Sequence, residues 1–512
     1  MPHTSGCISC GIAVLRVVFL TASLAVAGCT AVPFDPDLPV ERALPADDTR
    51  LARDTARLFR GQGMDKVRVA PLVDGNDALG ARLRMIEAAE RSIDVKTFLI
   101  KPDMAGGLMW LALLEAADRG VRVRLLYDDV FTSARDDQIA SLDAHPNVDI
   151  RAFNPLSRNS TTAMNFVLDF ARVNRRMHNK AMIVDGSLAV IGGRNIADEY
   201  YQIETDSEFA DFDLLVIGAP VKDLSAAFDL YWNDAWSVPM ARLADGDIAP
   251  LREAQVLFRS AAASEAAEIY DRAVNSTYLR DLLDGRVETF AGSARVVVDD
   301  PEKLRTPPGQ GPFVVGDSFY NTLMRAQSEV LIITPYFVPE PYGAEVFEAL
   351  VARGVHVRVT TNALSATNHA YVHGGYAPYR DRLIKAGVEF LEVRPDGPSL
   401  VAGVETPLVL HTKLAIVDDQ TLFVGSANID PRSIRQNTEV GMVIESATFA
   451  QRFLEFFDPV IEDYAFAVQA DANGNPVWQY RGEAVSGSEP GASAWRKITA
   501  TIAGWLPVEW QL

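Results

Sequence analysis

Cysteine is almost missing from this chain of 512 residues, and its few occurrences are confined to one end. The three cysteines are Cys7, Cys10 and Cys29, so the body of the chain holds none. A body without cysteine can form neither an internal disulfide framework nor a cysteine-based metal site. It also avoids accidental thiol oxidation, which suits a compartment outside the cytoplasm.

Positive charge is also in short supply. The formal net charge is −20, and the field of such a chain repels a polyanion, which argues against a non-specific nucleic-acid binder. A local basic pocket for one phosphate is still compatible with that average charge. The contents of hydrophobic residues (48%) and charged residues (23%) are ordinary for a globular protein, and the length predicts more than one domain.

The apolar run near the N-terminus is short. Residues 15–27 read LRVVFLTASLAVA, which is too short to span a membrane comfortably. The Val-Ala-Gly-Cys sequence that ends at Cys29 resembles the lipobox of a bacterial lipoprotein signal. We therefore expect a signal peptide at 1–28, lipidation at Cys29, and a lipid-anchored, periplasm-facing protein of the bacterial cell envelope. A plain secretory signal or an anchor helix is the alternative, because the stretch before Arg16 is long and barely basic; the choice between inner and outer membrane stays open.

Two long segments repeat one order of elements: a strand, a helix ending at Arg-Gly, a second strand, a longer excursion and another strand. Gly120 and Gly354 stand where a helix C-cap is expected, and 58 positions separate Gly120 from His178 while 57 separate Gly354 from His411. This alternation predicts an α/β fold with two pseudo-symmetric domains, each a mixed β-sheet flanked by helices. The predicted divisions are a lead segment at 29–64, domain 1 at 65–222, a helical linker at 223–289, domain 2 at 290–450 and a C-terminal extension at 451–512.

Each repeat carries a His-x-Lys-x4-Asp motif. The chain has only seven histidines, so chance does not explain two matches at one spacing. Side chains at i and i+2 of a strand share a face, so each motif should present an imidazole beside an ammonium group. We interpret the Asp, which falls where the strand should turn, as structural rather than as a proton carrier. The motif residues are His178, Lys180 and Asp185 in the first repeat and His411, Lys413 and Asp418 in the second.

Ten positions beyond each motif Asp stands an Asn that follows small residues. Its side-chain amide and the neighbouring backbone amides suit a phosphate oxygen. The predicted phosphate-binding residues are Gly193, Asn195, Ser426 and Asn428. Two halves that face each other would place two His, two Lys and two Asn around one phosphodiester, so we expect one active site at the domain interface.

This set of groups suits displacement at phosphorus. One imidazole would attack and form a phosphohistidine, while the other protonates the departing alkoxide and then deprotonates the incoming alcohol or water. The Lys and Asn donors would stabilise the charge on the phosphate oxygens, so we expect no metal and no other cofactor. Each imidazole needs an acceptor on its other ring nitrogen; Glu439 and Asp211 are predicted for this role, with Asp213 as the alternative to Asp211.

At these residues the sequence resembles the phospholipase D superfamily, and most closely its cardiolipin synthase branch. The resemblance covers nearly all of the chain after the lead segment and rests on the two motifs, on IGGRN, and on ANIDPRSIRQNTEVGMVIES, TNALSATNHAYVHGGYAPYR and LPVEW. It implies transfer of a phosphatidyl group to a phosphatidylglycerol hydroxyl, with ethanolamine or glycerol leaving. It also implies that His178 or His411 carries that group, and the analogy favours His178.

The resemblance further implies a set of residues that line the pocket. These are His373, Tyr376, Arg432, Ser433 and Asn437, although a packed or surface position fits His373 equally well. In one departure, Lys96 and Phe98 stand where relatives often have Gln and Tyr, which puts the donor preference in doubt. Near the C-terminus, Trp495, Ile498, Ile502 and Trp505 at helical spacing predict either an interfacial helix that touches lipid or a helix docked on the body.

Three classes of function compete. The first is phosphatidyl transfer that makes cardiolipin, the second is hydrolysis of phospholipid or nucleic acid at the same site, and the third is an inactive lipid-binding lipoprotein. The complete His, Lys and Asn sets oppose the third, and the net charge opposes the nuclease. A phospholipase D-type hydrolase stays open, because the acceptor depends on pocket shape and water exclusion. The expected partners are phospholipid substrates and a membrane surface, without nucleic acid, and no accessory protein is identified.

Overall fold

A computed structural model describes residues 31–45, 47–59, 66–203, 207–261, 267–307, 309–398, 406–506 and 509–511, without the side chains of 257–261, 267–270 and 510. The predicted signal peptide and Cys29 lie outside these residues. Within them, no helix is both long enough and apolar enough to cross a membrane.

The first half of the chain builds a mixed sheet. Its strands are β1 Val67–Leu72, β2 Ser92–Thr97, β3 Arg122–Asp128, β4 Val148–Phe153, β5 Ala181–Val184, β6 Leu188–Gly192, β7 Glu208–Ala210, β8 Asp213–Gly218 and β9 Ser237–Pro239. Eight of them form one sheet in the order β1-β8-β6-β5-β2-β3-β4-β9. Strands β2, β3 and β4 are parallel to one another, and the other neighbours are antiparallel.

The second half repeats this arrangement. Its strands are β10 Phe290–Val298, β11 Glu329–Ile333, β12 His356–Asn362, β13 Glu389–Val393, β14 Leu408–Leu410, β15 Leu414–Val417, β16 Thr421–Gly425, β17 Val440–Glu445, β18 Ala465–Ala470, β19 Pro476–Tyr480 and β20 Glu483–Ala484. Ten of them, all but β14, form one sheet in the order β10-β17-β16-β15-β11-β12-β13-β18-β19-β20. The first eight positions match the first half strand for strand, so the predicted pseudo-symmetric α/β fold is confirmed.

Helices flank both sheets. They are α1 Arg50–Arg57, α2 Gly75–Ala88, α3 Met104–Asp118, α4 Asp136–Asp143, α5 Thr162–Leu168, α6 Phe170–Val173, α7 Pro220–Trp232, α8 Ala249–Ala261, α9 Ala267–Val274, α10 Tyr278–Leu283, α11 Val314–Leu323, α12 Glu340–Ala352, α13 Ala370–Ala386, α14 Ala447–Tyr464 and α15 Ala494–Trp505. Gly120 and Gly354 follow α3 and α12 with φ of 90° and 86°. This left-handed backbone favours glycine and ends each helix as predicted.

The two halves share a central core. Strand β1 pairs antiparallel with β10, which joins the two sheets edge to edge. Apolar side chains from both sheets, such as Ile183 and Ile416, pack in one buried cluster with Phe228 of α7 and Phe449 of α14. Two further cores lie beneath the outer helices, one in each half. The central core fixes the two halves against each other and so defines the interface between them.

Two domain boundaries differ from those predicted. Helix α7 and strand β9 lie beyond residue 222, yet β9 pairs with β4 in the first sheet. Strand β18 lies beyond residue 450, yet it pairs with β13 in the second sheet. The sequence hides both additions, because β9 has three residues and β18 follows α14 with no turn between them. The predicted linker retains a helical part in α8, α9 and α10.

Candidate active site

The His-x-Lys segment of each half pairs with the opposite half. The backbone N–H of His178 donates to the carbonyl of Thr438 over 2.9 Å, and that of His411 donates to the carbonyl of Ala210 over 2.8 Å. Strands β7 and β14 form a parallel ladder beside the second contact. Strands β5 and β15 begin only after the motif lysines. His and Lys therefore precede the strand, whereas we had expected them to lie within it.

This crossed pairing brings each imidazole to a carboxylate of the other half. His178 Nδ1 lies 2.9 Å from Glu439 Oε2, and His411 Nδ1 lies 2.6 Å from Asp211 Oδ2. Asp213 instead binds Arg82 and Arg194. A carboxylate on Nδ1 fixes the ring and leaves Nε2 available for chemistry. Both carboxylates are buried.

Two of the predicted phosphate-binding residues support the carboxylates instead. The N–H of Gly193 donates to Phe212 O over 3.3 Å and that of Ser426 donates to Val440 O over 2.9 Å, so neither amide is free for a ligand. A Cβ on Gly193 would lie 2.1 Å from Asp211 Oδ1, and the Ser426 hydroxyl donates to Glu439 Oε2 over 2.5 Å. The small residues therefore make room for the carboxylate or bind it, which corrects our expectation.

The motif lysines lie beside the imidazoles, and both are buried. Lys180 Nζ donates to the carbonyl of His178 over 2.8 Å. Lys413 Nζ donates to the carbonyl of His411 and lies 3.0 Å from its Nδ1. Burial lowers the pKa of Lys180 to about 7 and that of Lys413 to about 8. The charges of both lysines reach both histidines, so the four groups act as one site.

The histidines are neutral in the unliganded site. Burial, reinforced by the lysine charges, lowers the pKa of His411 to about 4 and that of His178 well below its usual value. Burial also raises the pKa of Glu439 to about 7. Burial by itself would raise the pKa of Asp211, but the charges of His411 and Lys413 outweigh it and hold the value at about 2.

The two predicted asparagines each keep a buried, unpartnered side-chain atom. Asn195 Nδ2 donates to the Tyr200 hydroxyl over 2.7 Å, whereas the Oδ1 atoms of Asn195 and Asn428 have no protein partner. Buried polar atoms normally find a partner, and an orphan near a reactive centre indicates room for a ligand atom. A half-turn of the amide exchanges its oxygen and nitrogen, so either atom can face a phosphate oxygen.

Aromatic rings pack directly against the imidazoles. The edge of Phe98 contacts His178 at a centroid distance of 4.7 Å, and Lys180 Nζ lies 5.0 Å from the Phe98 centroid. Phe209 stacks on His411 at 5.2 Å, and Tyr200 meets the same ring edge-on at 5.2 Å. We did not predict Phe209 or Tyr200. Phe209 was detectable, because a residue two positions before Asp211 on a strand shares its face.

Comparisons with known proteins identify the family of this chain. The family model described as "Cardiolipin synthase, PLD-like domain" matches residues 83–217 and 319–461, one segment in each half. Cardiolipin synthase C of Escherichia coli (strain K12) is 35% identical over 460 residues, which cover 86% of this chain and 95% of that protein. The chain belongs to the phospholipase D-like cardiolipin synthase family. The resemblance stated from the sequence is therefore confirmed.

More distant members of the phospholipase D-like cardiolipin synthase family and a solved structure extend the similarity. The cardiolipin synthase of Oceanobacillus iheyensis is 26% identical over 413 residues, which cover 80% of this chain and 71% of that protein. The crystal structure of phosphatidylserine synthase from Haemophilus influenzae Rd KW20 matches with a TM-score of 0.57 at 14% identity, over 91% of this chain and all of that one. At that identity the structural match concerns the fold.

Two of the pocket residues implied by the cardiolipin synthase resemblance, Arg432 and Asn437, lie at the seam between the halves, and a third, Ser433, binds within the second half. Arg432 donates to the Asn174 carbonyl over 3.0 Å and to Asn174 Oδ1 over 2.8 Å. Asn437 Oδ1 accepts from the Arg176 N–H over 3.2 Å, and the Ser433 hydroxyl accepts from the Asn428 N–H over 3.2 Å. Arg432 is also within electrostatic reach of His178. The contacts of Arg432 and Asn437 join the second half to the first beside His178, whereas that of Ser433 lies within the second half.

His373 and Tyr376 do not line the pocket. Both lie in α13 with buried side chains. His373 Nε2 contacts Glu489 at 3.1 Å, and the Tyr376 hydroxyl donates to Glu392 over 3.0 Å. Arg380 pairs with both glutamates. This network joins the C-terminal extension to the second half, so the segment resemblance at these positions reflects packing rather than substrate contact.

Lys96 and the motif aspartates lie away from the reactive groups. Lys96 Nζ donates to Ala227 O over 3.2 Å and lies 4.2 Å from the Tyr231 ring, so it is engaged by α7 and not by the imidazoles. Asp185 accepts from the backbone N–H groups of 90–92, and Asp418 accepts from those of 327–329. Each aspartate thus holds the start of a neighbouring strand, in line with a structural role. Across the described ranges, no three His, Cys, Asp or Glu side chains are grouped to hold a metal ion.

Proposed function

We propose that this chain transfers a phosphatidyl group between phospholipids through a phosphohistidine and thereby makes cardiolipin. The observation that carries the proposal is the pair of imidazoles, each held at Nδ1 by a carboxylate of the opposite half and each flanked by a buried lysine. Membership of the cardiolipin synthase family supports the lipid substrate.

The first step uses the free nitrogen of His178. Glu439 accepts a hydrogen bond from Nδ1–H, which leaves the lone pair on Nε2. Nε2 attacks phosphorus and forms a P–N bond while the P–O bond to the leaving alcohol breaks. His411 supplies a proton to the departing oxygen. The pKa of His411 is about 4 in the unliganded site, and the negative charge of a bound phosphodiester raises it towards the range in which the ring can act as an acid.

The second step reverses these roles. His411, now neutral, takes the proton of a phosphatidylglycerol hydroxyl, and that oxygen attacks phosphorus as the P–N bond breaks. Cardiolipin leaves, His178 is neutral again, and His411 keeps the proton it took from the hydroxyl, which serves the next leaving group or is lost to solvent. Lys180, Lys413 and the amides of Asn195 and Asn428 stabilise the phosphate oxygens. The lysines supply the positive field in this scheme, so we expect chelators to leave the rate unchanged.

The lipid assay separates the transferase from a hydrolase. Purified protein is mixed with vesicles of phosphatidylethanolamine and phosphatidylglycerol in the presence of a chelator, and the products are resolved by mass spectrometry. We expect cardiolipin with release of ethanolamine or glycerol. Phosphatidic acid as the sole product would establish water as the acceptor and replace the transferase with a phospholipase D-type hydrolase.

Substitution of either histidine tests the shared site. We expect His178→Ala and His411→Ala each to abolish turnover, because each ring serves both steps. His356→Ala is the matched control, since this ring is exposed on β12 and pairs with Glu389. Near-parental activity in either motif variant would contradict a single site built from both halves.

We also propose a lipid anchor at Cys29 in a bacterial envelope, on the basis of the lipobox-like sequence. The test is incorporation of labelled palmitate in a bacterial host, which Cys29→Ala should abolish while Cys10→Ala retains it. Equal labelling in the two variants would refute the anchor without affecting the proposed chemistry.

A further inference from the structure

Helix α15 presents a broad apolar face to solvent. Trp495 and Trp505 at its two ends are 75% and 82% exposed, and Ile498 and Ile502 between them are 49% and 51% exposed. The opposite face is fixed on α13, where a Cβ added to Gly374 would lie 2.2 Å from Ala500 O. A rigid helix that leaves four large apolar side chains in water has the pattern of an interaction surface.

The charge and composition of this helix suit a phospholipid surface. The sequence AWRKITATIAGW contains two cations, Arg496 and Lys497, and no acidic residue, although the whole chain carries a net charge of −20. Cations beside an apolar face favour an anionic lipid surface. Tryptophans at both ends match the preference of indole rings for the boundary between headgroups and acyl chains.

The segments on either side of α15, its partner helix α13 and the residues beyond its C-terminal end, reach towards the proposed active site. Its partner α13 carries half-exposed Tyr371 near its N-terminal end, within electrostatic reach of Arg432. Beyond α15, Gln511 Oε1 accepts from Asn174 Nδ2 over 2.8 Å and lies 3.5 Å from Arg432 Nη2. Asn174 and Arg432 belong to opposite halves, so the C-terminal segment reaches the seam at which the site forms.

A second exposed apolar group lies on the first half of the same seam. Phe131 is exposed and packs on Phe98, the ring that contacts His178. Val167 of α5 and Phe170 of α6 are exposed as well, a few residues before Asn174. Apolar side chains thus lie on both sides of the site.

We propose that α15, together with this second group, docks on the surface of a phospholipid bilayer and presents the active site to lipid headgroups. The proposal rests on the proposed function for its choice of occupant. It deepens that function, because phospholipid substrates with two acyl chains stay in the bilayer. A site that binds their phosphate must therefore approach the bilayer. Docking by α15 is separate from any anchor at Cys29.

The test exploits the cysteine-free body. In the full chain with Cys7, Cys10 and Cys29 changed to Ser, Ile502→Cys is labelled with an environment-sensitive fluorophore and mixed with vesicles of phosphatidylglycerol and phosphatidylethanolamine. We expect the emission to shift to shorter wavelength as the probe enters the apolar boundary. Phe456→Cys on α14 is the matched control, because Phe456 is 58% exposed, and its probe should not shift.

The local probe is needed because the apolar run at 15–27 could bind vesicles by itself. Vesicle binding without a shift at position 502, or equal shifts at both positions, would overturn the proposal. A probe at 502 that is already blue-shifted before lipid is added, in a protein that sediments as a dimer, would assign the face to a second copy and equally refute lipid docking.

A kinetic split gives a second, independent measurement. We expect the double substitution Ile502→Ser and Trp505→Ser to lower turnover on vesicles severalfold and to leave turnover of monomeric short-chain lipids unchanged. An equal loss on both substrates would indicate a folding or active-site defect and would count against docking. Failure of the proposed function is distinguishable, because the parent would then lack turnover while the probe at 502 still shifts.

Discussion

Lys180 and Lys413 give the site its strongest pH dependence. Burial lowers the pKa of these lysines to about 7 and about 8, so both are fully cationic only below neutral pH. A phosphodiester is an anion, and its binding favours the charged forms. The same burial keeps His411 neutral down to about pH 4 and holds the pKa of His178 well below its usual value. The lysines therefore favour binding of an anion at or below neutral pH, whereas Glu439, with a pKa of about 7, is an ionised acceptor for His178 only at or above it.

We predict that kcat/KM is highest close to pH 7 and falls above about pH 8, because each lysine loses its charge as the pH rises through its lowered pKa. It should also fall below about pH 7, because the Glu439 carboxylate that orients His178 becomes protonated as the pH falls through its raised pKa of about 7. The slope should approach roughly tenfold per pH unit for each lysine that titrates. The measurement is kcat/KM on vesicle substrate from pH 5 to 10, with the thermal unfolding temperature followed over the same range as the control. A flat profile up to pH 10 would contradict the role of the lysines.

Asp185 shows how a motif residue acts at a distance from the chemistry. It accepts three backbone N–H groups at the start of β2, its φ is 48°, and Asp418 does the same at the start of β11 with a φ of 50°. The carboxylate thus ties the motif strand to its neighbour. This fixes the register from which the imidazole and ammonium of the motif are presented.

We predict that Asp185→Asn lowers the free energy of unfolding by about 1–3 kcal/mol, the usual loss when a charged acceptor of buried hydrogen bonds is removed. Asn tolerates the left-handed backbone, so the substitution isolates the loss of charge. Calorimetry gives the stability, and turnover per folded molecule should stay near the parental value. A large loss of kcat at unchanged stability would reassign Asp185 to the chemistry. Asp418→Asn should cause a smaller loss, because most of the hydrogen bonds that Asp418 accepts are exposed to solvent.

At the scale of elements, the repeat was predictable from the sequence, whereas the pairing of each His-x-Lys segment with the opposite half was not. The two copies of strand, helix, glycine and motif are visible because they lie close together in sequence and recur at nearly equal spacing. The ladder between β7 and β14 joins residues about 200 positions apart, and nothing local to either strand encodes its partner. For this reason Glu439 and Asp211 were predicted as acceptors, whereas their exchange between halves and the contact of Phe209 with His411 were not.

Gly193, which directly follows β6, leaves space for the Asp211 carboxylate. A Cβ on Gly193 would lie 2.1 Å from Asp211 Oδ1 and 2.7 Å from its Oδ2. Asp211 is fully enclosed against His411, so it cannot move aside without leaving Nδ1. The small residue in the IGGRN segment is therefore explained by the close approach of a side chain from the next strand.

We predict that Gly193→Ala lowers kcat by about 100-fold or more, because the displaced carboxylate no longer holds the His411 ring. Gly107→Ala is the matched control: a Cβ there meets nothing within 4 Å, and Ala in a helix interior should stabilise the protein by up to about 1 kcal/mol. Steady-state kinetics and thermal unfolding of both variants test this. Normal kcat in Gly193→Ala would show that the space is not needed.

At the scale of the whole molecule, each half supplies the carboxylate that orients the histidine of the other half. The His178 ring comes from the first half and its acceptor Glu439 from the second, and the reverse holds for His411 and Asp211. Each half therefore contributes a motif that is incomplete without the other. The continuous sheet through β1 and β10 and the shared central core hold the two contributions in register.

The crossed arrangement predicts a crossed response to substitution. A ring N–H held by a carboxylate gives a resonance at unusually low field, so we expect two such proton signals, assigned through His178→Ala and His411→Ala. Glu439→Gln should remove the His178 signal and spare that of His411, Asp211→Asn should do the reverse, and each should lower kcat by on the order of 10³- to 10⁴-fold. Glu445→Gln, at the exposed end of β17, is the control and should change neither signal. If Asp211→Asn instead removed the His178 signal, each half would orient its own histidine, and the interlocked site would be wrong.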